Sequence, residues 1–247
     1  MSGHSKWHSI RHKKAVKDAR RGKLFTKLIK ELTVAARMGG GDPEGNPRLR
    51  AAVAAARANS MPVDNIDRAI KKGSGELEGV NYEDVSYEGY GPGGMAVLIE
   101  CVTDNRNRTV AEVRHLFDKH GGNLGENGCV AWMFDRVGQI RVAGADEESV
   151  FTAAADAGAS DVQDEGGVCV VTTAPEDLER VRVRLDLEGM SIDSAEIVLE
   201  PKSTVELSGG DAGRALKLID LLDDHEDVQR VSANFDIDDE ELAGLSA

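Results

Sequence analysis

Cysteine is scarce in this chain: Cys101, Cys129 and Cys169 are the only three in 247 residues, far apart and with no Cys-x-x-Cys pair. A disulfide framework or a cysteine-rich zinc site therefore has no basis. Aromatic residues make up 4% of the chain, too few for a sugar-binding or base-stacking surface built on many rings. No apolar run approaches the ~20 residues that cross a bilayer. The leading segment MSGHSKWHSIRHKKAV also lacks the apolar stretch of a signal peptide. The expectation is a soluble cytoplasmic protein with no membrane partner. Catalytic signatures are missing as well: there is no nucleophile elbow, no His-Glu-x-x-His and no cysteine in a histidine–carboxylate context. The chain is expected not to be an enzyme, to use no cofactor or metal, and to take no small-molecule substrate.

What is present is charge, and it is segregated. The formal net charge is −14, from 30 basic and 44 acidic residues. Residues 1–75 hold 17 basic and 6 acidic side chains, a net of +11, whereas 76–247 carry −25. Such asymmetry suggests an interaction arm. Two partners fit it: a polyanion such as nucleic acid, or the chain's own acidic body.

The periodicity predicts a helical region over 1–75. Leu24, Phe25, Leu28, Ile29, Leu32, Ala35 and Ala36 follow one helix face, and Gly39-Gly40-Gly41 stops it. Lys23, Lys27 and Lys30 fall on a separate stripe. Asn46 and Pro47 cap another helix, and a further one starts near Asp64 and ends at Gly73. Residues 73–80 read as a linker. Beyond it, Met95–Val102 is a buried strand, Thr109 with Glu112 a capping box, and Cys129–Phe134 a strand. Residues 137–199 then run strand, helix, strand, strand, helix, strand, the ferredoxin-like order. A strand (203–207), helix (211–222) and strand (227–234) complete a second such unit together with 95–134. The expected architecture is α+β and multidomain: a basic helical domain (1–75), a split α/β domain (76–135 plus 203–247), and an α/β domain inserted in it (136–202), both α/β domains being ferredoxin-like.

Lys6, Arg11, Lys13, Lys14, Lys17, Arg20, Arg21, Lys23, Lys27 and Lys30 form a dense cationic tract, opposed up to Lys30 only by Asp18. Lysine and arginine that replace condensed counterions on phosphates give affinity without sequence selectivity, and these ten are the candidate nucleic-acid contacts. The competing reading is a solvated face. Trp7 either stacks on a base or anchors the arm to its own helices, and the anchor is preferred. His4, His8 and His12 have helical metal-ligand spacing but no carboxylate or cysteine to complete a site. Tyr87–Gly94 (YEGYGPGG) is glycine-rich, yet lacks the Gly-Lys-Ser/Thr ending of a phosphate loop and reads as a rigid turn. Asn105, Arg106, Asn107 and Arg108, between a strand and a helix, form either a recognition loop or a locally hydrogen-bonded one.

Gly3–Trp7 (GHSKW), Lys13-Lys14 with Asp18–Glu31 (DARRGKLFTKLIKE), Gly39–Arg50, YEGYGPGG, Asp104–Thr109 and Gly121–Phe134 (GGNLGENGCVAWMF) together resemble the YebC family, whose members include the mitochondrial translational activator of cytochrome c oxidase. The resemblance covers nearly the whole chain and is strongest over 1–135. It implies a helical N-terminal domain with two α/β domains, and a probable DNA-binding regulator of transcription. Relatives are also associated with translation, acting at the ribosome when proline-rich stretches slow elongation. The family usually has a small residue where this chain has His8, so the histidine series is not implied as a site.

Three functions are consistent with these residues: a DNA-binding transcriptional regulator, a translation factor gripping ribosomal RNA, and an interaction module docking on an acidic partner. No recognition helix with base-reading residues at its start is evident. A body of −25 would also be repelled by long duplex DNA, which tilts the physical reading toward the ribosome.

Overall fold

The computed structural model describes Trp7 and residues 17–246, with backbone alone for 17–20 and 246. It divides into two compact units, one comprising residues 1–132 with 203–247 and the other 133–202.

From Lys17 onward the first unit continues through the helices α1 (Lys17–Gly39), α2 (Pro47–Ala58) and α3 (Val63–Gly73). Leu32, Ala35, Ala36, Leu49, Ala52, Val53, Ala56, Ile66 and Ala69 form their shared core. Small side chains let the helix axes approach closely. Gly73 shows how closely: a Cβ there would lie 2.3 Å from the Thr33 carbonyl oxygen and 2.7 Å from Ala36 Cβ. The α1–α2 turn hangs on buried Asn46, which accepts from the Leu49 N–H as N-cap and donates to the Ala35 and Gly40 carbonyls. The cap and Pro47 stand where the sequence places them.

The rest of the unit is a hairpin of β1 (Glu83–Tyr90) and β2 (Ala96–Thr103), then α4 (Arg106–Lys119) and the short β3 (Asn123–Leu124). After the second unit come β8 (Val205–Glu206), α7 (Gly209–Asp223), β9 (Val228–Ala233), β10 (Phe235–Asp236) and α8 (Asp239–Ser246). The four-stranded sheet has the order β3-β1-β2-β9, with antiparallel neighbours. Phe117 from α4, Leu218, Ile219 and Leu222 from α7, and Ile99 from β2 are fully buried in one core. Each such side chain contributes roughly 1.5–3 kcal/mol on leaving water.

The expected mixed α+β class is present, and three local assignments differ. Read as β9-β2-β1-β3, the sheet has the ferredoxin-like layout, but its third slot is filled by β1, ahead of β2 in sequence. The strand expected at 203–207 pairs instead with β10, in parallel. β1 escapes the sequence reading because EDVSYEGY has no alternation: only its Tyr87, Glu88 and Gly89 are buried. Helix α4 starts earlier than the Thr109 box, capped by Asn105 accepting from the Arg108 N–H. Thr109 is fully buried instead. Cys129–Met133 is a loop with one short helical turn, and the strand starts only at Phe134.

The second unit comprises β4 (Phe134–Ala143), α5 (Glu147–Ala155), β5 (Ala159–Asp164), β6 (Val168–Thr173), α6 (Leu178–Leu187) and β7 (Ser191–Pro201). Its antiparallel sheet has the order β5-β6-β4-β7, the ferredoxin-like order read from the sequence. Ile140, Val142, Val150, Val171, Val181 and Leu185 fill its core.

Candidate nucleic-acid interface

The lysine stripe of α1 forms as its spacing predicts, but it faces protein. Lys23 Nζ donates to the Asp224 carbonyl (3.3 Å) and Lys27 Nζ to the Asp223 carbonyl (2.5 Å). Lys30 Nζ donates to the Glu226 carbonyl (3.1 Å) and to the carboxylate of Asp227. These carbonyls lie at and just beyond the C-terminus of α7, where the last turn leaves acceptors without intrahelical partners and the helix dipole is negative. Three cations from α1 thus complete the end of an acidic helix.

Lys30 is 6% exposed and Asp227 2%. Burial alone would raise the Asp227 carboxyl. Hydrogen bonds from Arg108 (2.8 Å), Lys30 and Thr109 (2.7 Å) outweigh it and hold the group at about 2. The Thr103 hydroxyl lies 2.8 Å from that of Thr109 and closes the cluster. Lys30 is therefore removed from the set of phosphate contacts, because its ammonium is enclosed with a permanent counter-ion. Burial, with Asp227 nearby, pushes the Cys101 thiol up to about 12, so it carries no thiolate at neutral pH.

The 105–108 loop divides. Asn105 is the cap of α4, and Arg108 is held by Asp104 (2.9 Å) and Asp227. Both are fixed by local structure. Arg106 is exposed, with Glu83 3.8 Å away, and the Asn107 side chain is exposed.

The remaining candidates fall into two groups. Lys6, Arg11, Lys13 and Lys14, with the histidine series, lie outside the described residues, as do the side chains of Lys17 and Arg20. Arg21 is exposed, its guanidinium 5.3 Å from the centre of the Phe25 ring. Trp7 itself is held in place: the indole N–H donates to Asp220 on α7 (3.0 Å), and the ring packs on the α4–α7 core.

Other cations of the helical region went unnoticed in the sequence. Arg37 donates to the Tyr82 and Val80 carbonyls, and Arg48 bridges Glu31 and Asp84. The side chains of Arg57, Arg68, Lys71 and Lys72 are exposed and make no hydrogen bond or ion pair among the described residues. Asn65, Arg68 and Lys72, at i, i+3 and i+7 on α3, line a shallow depression of about 200 Å³ floored by Ile29 and Ala69. Their helical spacing is present in the sequence, where the denser cationic tract before Lys30 is the stronger signal.

Among the described residues, Glu112, His225 and Asp227 approach closely enough to suggest a metal site. The donor set does not fit one. His225 Nδ1 already accepts from the Asp227 N–H, its Nε2 lies 2.9 Å from Glu112, and Asp227 is neutralised by Lys30 and Arg108. A divalent ion there would face two cations at close range.

Residues 5–76 match the TACO1/YebC N-terminal domain, and residues 82–235 match the TACO1/YebC second and third domain. A probable transcriptional regulatory protein of Geobacter sulfurreducens is 59% identical over 246 residues, covering 99% of this chain and 100% of that protein. One of Desulforapulum autotrophicum with the same description is 54% identical, covering 97% and 98%. The crystal structure of a conserved hypothetical protein from Aquifex aeolicus has a TM-score of 0.85 at 51% identity, covering 93% of this chain and 96% of that one.

Proposed function

The chain belongs to the TACO1/YebC family, and we propose that it is a non-enzymatic, nucleic-acid-binding regulator of gene expression. The observation that carries this reading is the unpaired set Arg57, Arg68, Lys71 and Lys72. In a chain with 14 more acidic than basic residues, carboxylates are plentiful, and nine of the other arginines among the described residues lie within 4 Å of one. Four exposed cations without a partner among the described residues fit a polyanion. The relatives' names, probable transcriptional regulatory proteins, support the regulator.

Phosphate gripping of this kind positions a protein without reading bases. Both physiological targets use it: duplex DNA at a promoter, or ribosomal RNA during elongation through proline-rich stretches. The charge of the body favours the ribosome, because residues 76–247, at −25, are pushed away from a long duplex, while a ribosome lets one arm hold RNA as the body projects elsewhere. Sedimentation with ribosomes at low and raised salt, beside genome-wide DNA crosslinking, tests the choice. Co-migration that weakens with salt, without discrete genomic peaks, is the expected outcome. Discrete peaks without co-migration would establish the DNA-bound regulator instead.

A further inference from the structure

Trp132 is 67% exposed and Tyr90 38%, in a chain with only ten aromatic residues. Both are tied to one atom: the Cys129 carbonyl accepts from the Trp132 indole N–H and from the Tyr90 hydroxyl, each at 3.1 Å. The loop carrying that carbonyl is held from beneath by Glu88, which is 5% exposed. Its carboxylate accepts from the N–H groups of Gly128 (2.6 Å), Val130 and Ala131 (2.8 Å each), and its own carbonyl accepts from Gly125. Burial raises the Glu88 carboxyl, and the three backbone donors outweigh it and lower it overall. Gly125 packs closely here: a Cβ would lie 2.6 Å from Cys129 Sγ, so a larger residue would displace that side chain.

Desolvating a carboxylate to fix a surface loop makes sense when the loop must be rigid. With its only donor engaged, the Trp132 ring offers its π face and no polar edge. On the same segment Asn123 and Asn127 present exposed amides with no partner among the described residues. Asn123 pairs with Tyr90 across the β1–β3 ladder, so an exposed ring and exposed amides share one short segment, a combination that matches an unpaired nucleobase, which stacks on any aromatic ring and hydrogen-bonds along its edge. A base within a duplex is already stacked and unavailable.

We infer that the Tyr90–Trp132 loop is a stacking site for an unpaired base of single-stranded RNA or DNA. This rests on the nucleic-acid reading above and adds to it a contact that phosphate gripping lacks. The test titrates the full chain with a 12-nucleotide single strand, with the corresponding duplex, and with a neutral proline-containing peptide. Tryptophan emission is followed in the parent chain, W132F and W7F, which assigns the signal to Trp132 or Trp7. Quenching of Trp132 by the single strand is expected, absent in W132F and retained in W7F. Trp132→Ala should weaken single-strand binding by roughly 10- to 100-fold and duplex binding by less than about twofold, while Trp132→Phe keeps most affinity; an unchanged melting temperature excludes misfolding. Single-strand binding with Trp132 unquenched and Trp132→Ala unaffected would overturn the stacking site and leave the nucleic-acid reading standing. Quenching by the peptide alone would assign the loop to a protein. Failure of the intact chain to bind either strand would overturn both.

Discussion

Lys30 and Asp227 lie 197 positions apart in the sequence and meet as a buried ion pair. The contact joins the basic helix to the turn after α7, so it links the two oppositely charged parts of this unit.

Removing one member of a buried pair leaves the other uncompensated, which costs about 3–5 kcal/mol. Lys30→Met is expected to fall near the low end, about 3 kcal/mol, because Arg108 and Thr109 still bind Asp227. Urea unfolding measures it. Lys23→Met, at an exposed contact, should cost under about 0.5 kcal/mol. Equal midpoints for the two variants would refute the distinction drawn between them.

The same carboxylate sets a pH dependence. Asp227 is lowered from 3.8 to about 2 on folding, so its contribution is fully present above the unfolded value and is lost as pH falls through the folded one. About 2 kcal/mol should therefore disappear between roughly pH 4 and pH 2. Asp227→Asn should flatten that part of the stability profile; a parallel fall in parent and variant would contradict the assignment.

Phosphate contacts on α3 have their own signature. Arg68→Gln with Lys72→Gln should weaken binding to all nucleic-acid sequences alike and reduce the salt slope by about 1 for each lost contact. Thermal stability should not change, as neither side chain has a partner among the described residues. If the slope stays as steep as in the parent chain, α3 does not face phosphate.

The 105–108 loop should split on substitution. Asn105→Ala removes a helix cap and is expected to cost about 1 kcal/mol. Arg106→Ala, with only the 3.8 Å approach to Glu83, should leave the melting temperature unchanged. A nucleic-acid binding assay on Arg106→Ala then reads recognition without a folding artefact, and unchanged affinity would make Arg106 an ordinary surface residue.

Much of this organisation is legible in the residues. The Asn46-Pro47 cap, the glycines ending α1 and the strand–helix alternation over 137–199 are local signals, and local backbone chemistry decides them. β1 was not legible, since its sequence lacks alternation and its strand state comes from pairing with β2 and β3. The stacking loop was hidden for a related reason: Glu88 and Gly128 are 40 positions apart, and nothing in the glycine-rich string says which carbonyl two rings will share.

The sequence alone determined that the chain carries +11 in its first 75 residues against −25 in the rest, and that Lys23, Lys27 and Lys30 lie on one stripe of a helix, because spacing along a helix sets direction around its axis. Only the tertiary structure decided what that stripe meets. Helix periodicity orients a side chain relative to its own helix but is silent about partners some 200 residues away. Packing against α7 enclosed Lys30 with Asp227, and left Arg68, Lys71 and Lys72 of α3 exposed.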